Sequence, residues 1–72
     1  MIPMTRDNAV AILRERIVRQ QAHVEYLESR IIQLRILQTK DPWEGNASQI
    51  LRLETRRVHA VLEIEALEIV LK

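Results

Sequence analysis

Asp41-Pro42-Trp43-Glu44-Gly45-Asn46 is the one stretch of this chain that strongly resists helix, and it separates two long segments that favour it. Pro42 lacks a backbone donor and biases Asp41 away from the helical region. Gly45 adds backbone freedom. Asn46 is a good N-cap, and Gln49 three residues on completes a capping-box pattern. Working outward, a second helix is expected over about 47–71 and a first over about 6–39, joined by a loop over about 40–46. Thr5 is the expected first N-cap, with Asp7 in the first turn favourable to the helix dipole. Neither helix contains Gly or Pro. The expected fold is therefore all-α: a single antiparallel helix-loop-helix hairpin spanning 1–72. Trp43 is read as a cap on the loop end, packing on Leu37 and Ile50 or Leu51.

The first helix carries one apolar seam: Val10, Leu13, Ile17, Val24, Leu27, Ile31 and Leu34. Its 3–4 spacing is that of coiled coils and bundles. Gln20 interrupts it, either to fix register or to reach water at an edge. The second helix carries two stripes. One is Leu53, Ala60, Ile64, Leu67 and Leu71; the other is Leu51, Val58, Leu62, Ala66 and Ile69. At 100° per residue they lie on nearly opposite sides. A helix with two apolar faces is sandwiched between two neighbours, and a lone hairpin supplies only one. The first stripe is assigned to the first helix and the second to another chain; the two could be exchanged, but one must face outward. Chains this small rarely build a sufficient core alone. Assembly into a homodimeric four-helix bundle or a higher helical oligomer is therefore expected. The interface would draw on Val10, Leu13, Ile17, Val24, Leu27, Ile31 and Leu34 of the first helix, and on Leu51, Val58, Leu62 and Ile69 of the second.

Charge supports the antiparallel arrangement. Residues 1–40 hold seven Lys/Arg against four Asp/Glu, and residues 41–72 hold four against six. Folded back, Arg14, Arg16 and Arg19 would lie near Glu63, Glu65 and Glu68. The first helix is the longer, so its opening turns, with Ala9, Val10 and Ile12, are expected to overhang.

Chemistry is poorly supplied. The chain has no Cys, which removes disulfides and thiolate metal sites and fits a cytoplasmic setting. Met1–Asp7 contains no apolar h-region, and no segment approaches a membrane span. His23 and His59 are single, one per helix, and neither follows a Glu by three residues as in di-iron bundles. The hydroxyl residues Thr5, Tyr26, Ser29, Thr39, Ser48 and Thr55 sit in no nucleophile motif, and there is no Gly-rich phosphate loop. No metal, no cofactor and no enzymatic activity are expected. Nucleic acid is disfavoured as a partner: the net charge is only +1, the first-helix arginines (Arg6, Arg14, Arg16, Arg19, Arg30 and Arg35) are dispersed, several beside acids, and the sequence shows no aromatic platform for single strands. A dimer contacting DNA through a basic helix is the second reading, and a subunit of a helical enzyme the third.

Leu13-Arg14-Glu15-Arg16-Ile17 resembles the opening of the first long helix of the all-helical chorismate mutases. That family needs three helices and a Lys-containing segment after the first; this chain has neither, and no residue is carried over. In size and layout the chain is similar to the small hairpin co-chaperones of type III secretion and to many small phage proteins, a similarity of shape without a shared motif. The function expected from the sequence is that of a small non-enzymatic interaction protein. It would be an adaptor, regulator or assembly component that docks helix to helix, with itself and with another protein.

Overall fold

A computed structural model describes residues 5–72. The absence of an h-region was read over Met1–Asp7, and its first four residues, Met1–Met4, lie outside the described part. The chain forms two α-helices, α1 (Arg6–Lys40) and α2 (Glu44–Leu71), folded into an antiparallel hairpin about 55 × 20 × 17 Å.

The start of α1 follows its sequence signals. Thr5 is extended, and its hydroxyl accepts a hydrogen bond from the Asn8 N–H at 3.2 Å, with Asp7 in the first turn. The helix ends where Pro42 requires it: Asp41 leaves the helical region at φ −141° and ψ 85°, while its N–H still donates to Leu37 O at 2.8 Å.

The start of α2 differs from expectation. The helix begins at Glu44, not Ala47, and Trp43 is its N-cap without a side-chain capping bond. The Trp43 carbonyl accepts from the Asn46 and Ala47 amides and opens the first turn. Asn46 is buried inside that turn, and its Nδ2 donates back to the Asp41 carbonyl at 3.3 Å. The reason is economy of donors. Pro42 reverses the chain within three residues, and an Asn side chain one turn later is then placed to satisfy a carbonyl that α1 leaves open. Trp43 does not seal the hairpin either. It is 62% exposed, and Leu37 and Leu51 are exposed as well. Its ring instead lies over Gly45, filling the space that a Cβ would need.

Between the helices the core is thin. Leu27, Ile31 and Leu34 of α1 and Ala60 of α2 are the buried apolar residues, with Leu27 at 1% exposure. Val10, Leu13, Ile17 and Val24 continue the α1 seam half-buried, and Leu53, Ile64, Leu67 and Leu71 of α2 are half-buried too. The hairpin thus closes on the first stripe of α2. Ile12 in the opening turns stays exposed. The total surface is 5980 Å². A compact monomer of 8.5 kDa would expose about 4,700 Å². The surplus belongs to an elongated two-helix layer whose outer sides have no neighbour.

Candidate interaction surfaces

Of the seven α1 seam residues, Leu27, Ile31 and Leu34 are buried within the chain itself, and Val10, Leu13, Ile17 and Val24 are half-buried. The four α2 positions of the other stripe are open: Leu51 65%, Val58 48%, Leu62 55% and Ile69 68% exposed. With Thr55 and Glu65 they form a run spaced 4-3-4-3-4 (Leu51, Thr55, Val58, Leu62, Glu65, Ile69), all of it exposed. That is the repeat by which one helix seats on another. Ala66, one position beyond Glu65, is exposed on the same flank.

A second open strip runs along α1 outside its buried seam. Val18, Ile32 and Ile36 are exposed there, with the small residues Ala22 and Ser29 between them. The sequence reading passed over it because Glu25 interrupts the pattern and the buried seam is stronger. Its signal was present in the 18, 22, 29, 32, 36 spacing. Both helices therefore carry an exposed apolar strip outside the buried core.

Charged residues cross-link the two helices along the broad sides. Glu63 receives Arg16 Nε at 2.6 Å and Gln20 Nε2 at 3.0 Å. Arg35 pairs with Glu54, and Arg57 reaches Glu28 at 3.8 Å. Of the three arginines expected opposite Glu63, Glu65 and Glu68, only Arg16 pairs across. Arg19 turns to Glu15 on its own helix at 2.6 Å, an i,i+4 partner it meets whatever the tertiary register. Gln20 is resolved as a register contact, bonded to Glu63 across the seam.

The two broad sides carry different chemistry. One has a groove of about 250 Å³ lined by Glu28, Ile31, Ile32, Arg35, Glu54 and Arg57, whose charges are matched. The other has a groove of about 320 Å³ with His23, Tyr26, Arg30, Gln49, Arg52 and Arg56 along its walls and no carboxylate. Sequence reasoning missed the second because Arg30 is 22 positions from Arg52, and only the hairpin register joins them.

The Thr5, Thr39 and Thr55 hydroxyls are engaged with helix backbone. His23 and His59 are both exposed. Among the described residues no group of three or more His, Asp or Glu is placed to hold a metal ion, and no helix is long and apolar enough to cross a membrane. No protein-family model, curated protein or solved structure matches the chain.

Proposed function

We propose that this protein is a non-enzymatic helical interaction module. In this reading it works in the cytoplasm by docking the outer edge of α2 onto another helix, first of all onto α2 of a second copy. The observation that carries the reading is the two-sidedness of α2. One aliphatic stripe is covered by α1; a second, with heptad spacing, is open along four large side chains. Burying what remains exposed of each would contribute about 1 kcal/mol per side chain. Soluble monomers seldom leave such a strip uncovered.

The strip suits its own copy. Its 4-3-4-3-4 spacing reads the same in both directions about Ala60, as an isologous two-fold contact requires. Antiparallel pairing sets Leu51 on Ile69 of the second copy, Val58 on Leu62, and Thr55 on Glu65. Parallel pairing would set Glu65 against Glu65, two like charges in the seam. The antiparallel arrangement is therefore favoured. Edge pairing yields a four-helix layer, a flatter assembly than a square bundle. A protein partner presenting an aliphatic helix would use the same strip.

Cysteine pairing tests this directly, since the chain has no Cys of its own. Thr55→Cys and Glu65→Cys chains, mixed under mild oxidation, are expected to give a cross-linked dimer, while Thr55→Cys alone gives almost none. Efficient cross-linking of Thr55→Cys with itself would mean parallel pairing. No cross-link in either case would remove the strip as a self-association surface.

A further inference from the structure

The basic groove invites a ligand that the α2 edge does not. The chain has nine arginines. Four are held by carboxylates: Arg16, Arg19, Arg35 and Arg57. Five have no carboxylate partner among the described residues, and three of those five, Arg30, Arg52 and Arg56, line this one groove. Arg30 donates only to the neutral Gln33 Oε1, at 3.2 Å. The groove thus gathers three unneutralised cations, while Glu63, next along the same stripe of α2, is already held by Arg16 and Gln20. Like charges set together repel, and an anion placed among them removes that repulsion while matching the guanidinium forks with oxygen acceptors. Tyr26, 59% exposed, stands in the same groove and offers an aromatic ring beside the cations.

We propose that this groove binds single-stranded nucleic acid, with Arg30, Arg52 and Arg56 on backbone phosphates and Tyr26 stacked on a base. The pairing of a cationic open channel with an aromatic platform is how strands are held without sequence readout. A duplex keeps its base faces internally stacked and has no use for the tyrosine. The three arginines are dispersed in sequence, so only the folded hairpin makes the site. It lies within one chain and does not depend on the α2 edge being occupied.

Fluorescence anisotropy with a short labelled oligothymidylate at low salt is the test, with circular dichroism confirming that each variant stays helical. Three phosphate contacts at about −0.7 each predict a log–log salt slope of about −2. Arg52→Gln/Arg56→Gln should weaken binding severely and flatten the slope to about −0.7. Arg6→Gln/Arg14→Gln removes the same charge at the two unpaired arginines outside the groove and should leave affinity within about twofold. Tyr26→Ala should cost about tenfold without changing the slope. Equal losses from the two double variants would show attraction to net charge only and overturn the site. So would equal affinity for the matching duplex, or for phosphatidylserine vesicles. An unaltered Tyr26→Ala would overturn the stacking role, and no binding at low salt would overturn the whole proposal.

Discussion

The two apolar stripes of α2 are made of the same kinds of residue at comparable spacing, yet one is half-buried or buried and the other lies open. Leu53, Ala60, Ile64, Leu67 and Leu71 are buried or half-buried; Leu51, Val58, Leu62 and Ile69 are exposed. Composition does not distinguish them. What does is the side that α2 turns to α1 when it returns after a three-residue turn. The same aliphatic side chain is therefore a folding residue on one side of the helix and an exposed one on the other, where docking is proposed. Substitutions on the two sides should have separable effects.

The largest effect belongs to the inner side. Leu27, almost fully buried, is expected to cost about 2–5 kcal/mol when cut to Ala, seen as a large drop in Tm and loss of helix at modest temperature. A small change would mean that the inner seam is not the core and would dissolve the contrast between the stripes. Next comes the polar lock between the helices. Glu63 engages Arg16 and Gln20 together but is partly solvated, with 33% of its side chain exposed. Glu63→Ala should cost on the order of 1 kcal/mol, measured by thermal or urea denaturation. Raising salt to about 1 M should lower Tm only slightly, because these pairs are largely exposed and apolar contact dominates. Collapse of helicity at high salt would reverse that ranking. The smallest effect is expected at Tyr26, which lies outside the seam. Tyr26→Ala should change stability by less than about 0.5 kcal/mol, sharpening the difference from its neighbour Leu27.

Much of the architecture was legible in the sequence because it rests on long-period patterns. The Val10-to-Leu34 seam, the two stripes of α2 and the break at Pro42 each repeat or interrupt over several turns, so a local error does not erase them. The choice of inner stripe was not legible: the spacing of Leu53, Ile64 and Leu67 favoured one assignment, but two stripes of similar composition left the swap open until the hairpin showed which one α1 covers. The details that escaped are single-residue competitions. Asn46 looked like an N-cap, but a buried amide one turn inside the helix satisfies the Asp41 carbonyl instead. Arg19 had two acceptors in prospect, and the nearer one on its own helix won. The arginine groove escaped for another reason: it exists only between helices, and charge counted along each helix separately averages it away.

The central claim is that the open stripe of α2 is an assembly surface. Light scattering on the purified chain at tens of micromolar, beside the Leu62→Lys/Ile69→Lys variant, tests it most directly. The wild-type chain should give at least twice the 8.5 kDa chain mass. The variant should give the single-chain mass while keeping most of its helical circular dichroism. A wild-type chain that scatters as a monomer and melts cooperatively would contradict the claim, as would a double variant that remains folded and fully assembled.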